Sequence, residues 1–276
     1  MMRRLPMLAT RYVFLTGGLV FVLVPFIYMI SVSLKPQAYT FEIPPQLFPR
    51  EITLNHYQEV LAKENLLLYF GNSLLVATVS TGTTVLISAL MAYAFALMKF
   101  RGKNVLFSIL LIGMMIPPVM LIVPQFLVAK DLKLLNNLLG LIVVYVTMNL
   151  SMQTFLLRGV FAGVPRDLLD AALIDGGNQW TLFRRVVLPL SGPGIAVVVI
   201  FTFLYSWDEF PWAHVAMKET AKRTLPVAIA LFQRPDLTEW GQVFAMSVIA
   251  LIPVLLVYIA FQRYFVAGIS TTGLKG

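Results

Sequence analysis

Apolar residues are grouped along the chain into runs long enough to cross a membrane, with short polar segments between them. A helix needs about 20 apolar residues to cross roughly 30 Å of hydrocarbon. Six runs have that length, and we expect each to form a membrane-spanning helix. The runs are Tyr12 to Val32, Phe70 to Met98, Val105 to Val128, Leu138 to Leu157, Leu190 to Phe210 and Val243 to Phe261. Pro117 and Pro118 lie inside the third run and predict a kink there.

The composition is typical of a membrane protein. Of the 276 residues, 59% are hydrophobic and 12% are charged, and the mean hydropathy is +0.83. We therefore expect an all-α integral membrane protein with six transmembrane helices. Cysteine is absent, which excludes a disulfide framework and a cysteine nucleophile. His56 and His214 lie in different polar segments without ligand-spaced partners, so no metal site is expected.

The distribution of lysine and arginine predicts the orientation of the spans. With the N-terminus inside, the inner segments carry twelve lysines and arginines against three acids, and the outer segments carry nine against eight. Cytoplasmic loops of membrane proteins retain an excess of positive charge. Six spans with both termini in the cytoplasm fit this asymmetry.

One inner segment, DAALIDGGNQWTLFRRVVLPL at Asp170 to Leu190, is polar and broken by glycine. Asp167 favours the start of a helix of about nine residues, and Gly176 with Gly177 favours its end. Asn178 can cap a second helix. The pattern predicts a helix-turn-helix on the cytoplasmic surface. Physical reasoning leaves two alternatives for its first helix. The helix rests on the membrane or on its own bundle, or it docks on a partner protein. Its acids disfavour binding to anionic lipid.

Several enzyme classes are excluded by the motifs. The sequence has no GxxxxGK[ST] loop, so this chain does not hydrolyse nucleotide through that device. Asp208 and Glu209 are adjacent, and neighbouring residues on a helix point about 100° apart, so they do not form a facing carboxylate pair. A membrane enzyme would need a clustered catalytic set, which is missing. We expect no catalytic residues.

The polar inner segment resembles the EAA motif of ABC importer permeases, a loop that docks into a cleft on the cytoplasmic ATPase. The resemblance implies ATPase coupling for the matching positions, which are Asp170, Ala171, Ala172, Asp175, Gly176, Trp180, Phe183, Leu188 and Pro189. Two positions depart from the usual motif. Asp170 stands where glutamate is usual, which keeps the acid but shortens its reach by one methylene, and Gly177 stands where alanine is common.

Further stretches extend the resemblance over essentially the whole chain, to carbohydrate-importer permeases of the maltose and glycerol phosphate type. They are FGNSLL, AYAFALMKFRGK, MIPPVMLIVPQF, SWDEF and QRYFVAGISTTGLKG. The resemblance implies a type I permease fold with one permease domain over residues 1–276. It also implies a cytoplasmic coupling loop over 165–189 and a cytoplasmic tail over 262–276. Gly268, Lys275 and Gly276 of that tail are expected to contact the ATPase.

The resemblance implies a permease subunit of an ATP-driven, binding-protein-dependent importer in a prokaryotic cell membrane. The solute would be a sugar or sugar-like molecule, such as an oligosaccharide, a polyol or glycerol phosphate. The implied partners are a second homologous permease, an ATPase dimer that binds Mg-ATP, an extracytoplasmic solute-binding protein and membrane lipid. This chain itself would bind no cofactor and no nucleic acid. A secondary transporter or channel is the alternative, although the spans lack buried ion-coupling charges.

Polar side chains at membrane depth are the candidates for the solute path, because a sugar in transit needs hydrogen-bond partners in place of water. They are Asn72, Asn149, Gln153, Trp207, Asp208 and Glu209. Two alternatives remain open. Asp208 and Glu209 can be interfacial acids satisfied by water and Lys218, and Asn149 and Gln153 can form hydrogen bonds between helices.

Overall fold

The computed structural model describes residues 4–36, 48–62, 65–233 and 238–272, and these residues form helices and turns without a strand. The described helices are α1 (Arg4–Ser33), α2 (Asn55–Ala62), α3 (Leu66–Leu97), α4 (Lys103–Met115), α5 (Ile122–Asp131), α6 (Leu138–Ala162), α7 (Arg166–Ile174), α8 (Gln179–Thr181), α9 (Leu188–Leu190), α10 (Gly192–Asp208), α11 (Pro211–Ala216), α12 (Leu225–Phe232) and α13 (Trp240–Thr272). A π-helix over Leu182–Val187 joins α8 to α9, and 3₁₀ turns cover Pro118–Leu121 and Thr220–Lys222. The expected all-α class is confirmed.

Four of the described helices, α1, α3, α6 and α13, are each long and apolar enough to cross a membrane. Two further spans are broken. The helices α4 and α5 meet at 95°, and the segment Gln179–Leu190 meets α10 at 79°. If each broken pair counts as one span, the described residues contain the six spans that the apolar runs predict.

The break between α4 and α5 follows from two consecutive prolines. Pro117 and Pro118 have no backbone N–H, so they cannot continue the hydrogen-bond pattern of α4. The predicted kink at this point is confirmed. The predicted fifth run began at Leu190, whereas the straight part of that span begins at Gly192, beyond the bend.

The chain divides into two compact units. One contains residues 1–67 and 228–252, and the other contains residues 68–227 and 253–276. In the first unit the short helix α2 is fixed by its buried side chain His56, whose Nε2 lies 2.8 Å from the carbonyl oxygen of Lys35. Gly241 leaves room for the His56 ring, because a Cβ at that position would overlap it. Glu59, which is also on α2, accepts a hydrogen bond from the side chain of Gln242 at 2.9 Å.

The second unit contains two apolar clusters that pack against different parts of α6. One cluster includes Leu141, Tyr145 and Trp212, and the other includes Leu157 and Phe183. Leu141 and Leu157 are 16 residues apart on α6, which corresponds to about 24 Å along the helix. The two clusters therefore lie toward opposite ends of α6, and each supports a different candidate site.

Candidate functional sites: an elbow and a cavity

The segment 165–189, called the elbow below, begins with α7, whose nine residues match the predicted length. The helix ends because Gly176 takes a left-handed conformation with φ +82°, which glycine adopts without strain. The N–H of Gly176 donates to the carbonyl of Leu173 at 3.0 Å, and the N–H of Gly177 donates to Ala172 at 2.9 Å. The predicted glycine stop is confirmed.

The second half of the elbow starts at the predicted cap. Asn178 Oδ1 accepts hydrogen bonds from the N–H of Thr181 at 2.9 Å and from its hydroxyl at 3.1 Å. The chain then widens into the π-helix Leu182–Val187 before Pro189, which has no N–H to offer the carbonyl four residues earlier. This capped and proline-ended segment leads directly into the 79° bend before α10.

Apolar side chains hold the elbow on the helices beneath it. Leu169 and Phe183 are buried in the same cluster as Tyr93 of α3. The rings of Phe183 and Tyr93 meet edge to face with centroids 5.3 Å apart, and the Tyr93 hydroxyl donates to Gln179 Oε1 at 2.7 Å. Packing and a hydrogen bond together fix the elbow to the end of α3.

The opposite face of the elbow is open to the surroundings. Of the nine predicted coupling residues, Phe183 is buried and Ala172 and Leu188 are half-buried, while the others are exposed, namely Asp170, Ala171, Asp175, Gly176, Trp180 and Pro189. Ile174, which the sequence motif does not single out, is 86% exposed. Leu173, which the helical spacing groups with buried Leu169, is 44% exposed. An exposed apolar surface rimmed by acids is typical of a protein interaction site.

A cavity of about 430 Å³ lies against the other cluster of the second unit. It is bounded by the break between α4 and α5, by α6, by the end of α10 and by α11. Its lining residues are Pro118, Val119, Ile122, Gln125, Val144, Met148, Leu204, Tyr205, Asp208, Glu209, Pro211 and Trp212. Gln125 was missed by the sequence analysis, although a lone glutamine after Pro124 in an apolar run is a visible signal.

Both acids of the SWDEF segment line the cavity, and their roles differ. Glu209 accepts hydrogen bonds from the Tyr145 hydroxyl at 2.6 Å and from the N–H groups of Trp212 at 2.6 Å and Ala213 at 3.0 Å. A carboxylate at a helix start stabilises it, so Glu209 fixes α11 to α6. Among the described residues, the ammonium group of Lys218 is not one of its partners. Asp208 is exposed at the end of α10.

The other four predicted path residues lie outside the cavity lining. Asn72 donates to the carbonyls of Ala221 at 3.0 Å and Arg223 at 2.9 Å. Asn149 donates to the carbonyl of Tyr145 within α6 at 2.8 Å. Gln153 is buried, and Trp207 is buried against the rings of Phe70 and Phe203. Asn72 therefore stabilises the loop that precedes α12, and Asn149 stabilises α6.

In the part of the chain that the structure describes, no group of three or more histidine, aspartate and glutamate side chains is placed to hold a metal ion.

The chain resembles known transport proteins over most of its length. The family described as binding-protein-dependent transport system inner membrane component matches residues 84–271. The sulfoquinovosyl glycerol transport system permease protein of Agrobacterium fabrum is 36% identical over 254 residues, which are 92% of this chain and 89% of that protein. The trehalose/maltose transport system permease protein of Thermococcus litoralis is 36% identical over 258 residues, which are 92% of each.

A solved structure has the same fold. It is the crystal structure of a bacterial ABC transporter involved in the import of the acidic polysaccharide alginate. One of its chains superposes with a TM-score of 0.80 at 24% identity, over 93% of this chain and 95% of that chain.

Proposed function

The chain belongs to the family of binding-protein-dependent transport system inner membrane components, and we propose that it carries a sugar or sugar-like solute through an ATP-driven importer. Membership makes it a multi-pass permease subunit, not an enzyme. The solute class is supported by the relatives, since those from Agrobacterium fabrum and Thermococcus litoralis are named for a sugar glycerol and for disaccharides. The proposed solute is an oligosaccharide, a polyol or glycerol phosphate.

The elbow is the proposed contact with a separate ATPase that binds Mg-ATP. The observation that carries this assignment is that one face of the elbow is buried and the other face is exposed. Leu169 and Phe183 anchor it to the helices beneath, while Ile174 and Trp180 are 86% and 57% exposed. Asp170 and Asp175 on the exposed side suit a basic cleft. A second homologous permease and an extracytoplasmic solute-binding protein complete the proposed assembly, with both termini of this chain in the cytoplasm.

The elbow and α10 pack together, since Val187 and Val198 are buried in the same cluster, and this packing gives the coupling a physical route. The N-terminal part of α10 packs tightly on α6, because Gly194 faces Val160 so closely that a Cβ at position 194 would lie 2.7 Å from Val160 Cγ2. Motion of the elbow is therefore expected to move α10 and α6 together. The far end of α10 is Asp208 at the cavity. Closure of the ATPases would in this way change the solute path.

The tail is proposed as a second ATPase contact. Residues 262–272 continue the helix α13, which contains Gly268. Lys275 and Gly276 lie outside the described residues. The assignments of 1–276 to one permease domain, of 165–189 to the coupling loop and of 262–276 to the tail remain predictions.

Reconstitution tests the proposed function against the alternative of a secondary transporter or channel. We expect liposomes with the complete complex to hydrolyse ATP faster when the binding protein is loaded with a saccharide from a panel of disaccharides, oligosaccharides, polyols and glycerol phosphodiesters. Liposomes with this chain alone should take up none of them. Uptake by the chain alone would support the alternative, and an ATPase rate insensitive to every solute would contradict the proposal.

A further inference from the structure

The cavity beside α10 has the size and lining of a small-molecule site. Its volume of about 430 Å³ lies within the range of roughly 300 to 1,000 Å³ typical of ligand pockets. Most of its lining is apolar or aromatic, including Pro118, Met148 and Tyr205. The space arises because the chain leaves the axis of α4 at Pro117 and turns by 95°. Apolar and aromatic walls suit the C–H faces of a sugar ring.

Trp212 adds a buried aromatic side chain to the cavity wall. Its backbone N–H donates to Glu209 at 2.6 Å, which holds this part of the wall in place. The indole Nε1 has almost no accessible surface, so a solute in the cavity meets the apolar surface of this residue and not its N–H.

The acid at the end of α10 adds a fixed negative charge. Glu209 has three donors, while Asp208 is exposed, and no partner of its carboxylate is found in the described part of the chain. A charge in a cleft with low-dielectric walls has a stronger field than the same charge on an open surface. The field attracts cations, repels anions and leaves a carboxylate available to accept from hydroxyl groups.

We propose that this cavity is a charge-selective subsite for the solute, which binds an uncharged or cationic polyhydroxylated molecule and rejects an anionic one. The inference rests on the proposed function, because it assigns the subsite to the transported solute. In the bound state a solute hydroxyl donates to the Asp208 carboxylate. The subsite would then disfavour anionic solutes, which include alginate, sulfoquinovosyl glycerol and, among the solutes proposed above, glycerol phosphate. It narrows the proposed solutes to an oligosaccharide or a polyol.

The absence of cysteine from the sequence allows the charge of the cavity to be measured directly. We suggest Met148→Cys in the purified complex, treated with methanethiosulfonate reagents that carry either a trimethylammonium or a sulfonate group, with labelling read on this chain and the unsubstituted complex as the blank. Relative to free cysteine, the cationic reagent should be favoured by about tenfold, as expected for one nearby carboxylate in a partly desolvated site. Asp208→Asn should remove most of that preference. Asp131→Asn, which removes an exposed carboxylate outside the cavity, should leave it unchanged.

Protection of the same cysteine tests the ligand class. Maltotriose should slow labelling of Met148→Cys more than trigalacturonate does, and Asp208→Asn should reduce the difference between the two sugars. Equal protection by both sugars, protection by neither, or no preference between the two reagents would overturn the proposal. If the reagent preference holds while reconstituted uptake fails, the transport function is wrong and the charge of the cavity stands.

Discussion

Gly176→Pro is expected to reduce solute uptake and solute-stimulated ATP hydrolysis to background while the membrane helices remain folded. Gly176 has φ +82°, and a proline ring holds φ near −65°, so the turn between α7 and α8 cannot keep its path. The substitution also removes the N–H that donates to Leu173. The exposed face of the elbow would be reoriented, whereas the buried clusters of the unit do not contain Gly176. Uptake and ATPase assays in proteoliposomes measure the loss.

Two matched substitutions separate geometry from charge. Gly176→Asn should keep most of the activity, because asparagine tolerates the left-handed region better than other residues with a Cβ. Asp170→Lys should abolish coupling by reversing a charge on the exposed face, and Asp170→Glu should retain it. Thermal unfolding of each variant checks that the helices are intact. Normal transport by both Gly176→Pro and Asp170→Lys would contradict the assignment of the elbow.

Phe183→Ala and Trp180→Ala should have different effects, mainly on stability and mainly on ATPase association, although the two rings lie 5.4 Å apart. Phe183 is 3% exposed and packs on Tyr93, so its truncation should lower the free energy of unfolding by about 3 to 5 kcal/mol. Trp180 is 57% exposed, and its truncation should lower the free energy of unfolding by only about 1 kcal/mol, the value of one aromatic pair. The second variant should instead lose association with the ATPase.

Thermal unfolding and co-purification with the ATPase measure these two effects separately. Phe183→Leu serves as the control, since it refills most of the buried volume and should recover much of the stability. An equal loss of stability in Phe183→Ala and Trp180→Ala would contradict the division of the elbow into a buried and an exposed face. Full ATPase association by Trp180→Ala would remove that ring from the docking surface.

Local signals explain why the elbow could be predicted from the sequence. Gly176 and Asn178 act on hydrogen bonds within three residues of themselves, and Pro189 acts within one helical turn. The number of membrane spans could be predicted as well, because it depends on apolar length. The angles of the 79° and 95° bends could not be predicted, since proline indicates a kink but the neighbouring helices decide its angle.

The candidate solute path was harder to predict because its contacts join distant parts of the chain. Glu209 meets Tyr145 across 64 positions, and Asn72 meets Ala221 across 149. A polar residue at membrane depth looks the same in the sequence whether it binds solute or holds a loop. The cavity is lined by three separate segments, 118–125, 144–148 and 204–212, and of the predicted path residues only Asp208 and Glu209 lie in its lining.

Site-directed crosslinking tests most directly whether the elbow contacts a separate ATPase, as the proposed coupling requires. A single cysteine replaces Ile174, which is 86% exposed, and matched cysteines replace buried Leu169 and exposed Thr220, which lies outside the elbow. With a short thiol-reactive crosslinker in the native membrane, Ile174→Cys should form an adduct with an ATP-hydrolysing subunit. The two controls should form none. An elbow cysteine that never captures such a subunit, or a crosslink that is equally strong from Thr220→Cys, would contradict the account.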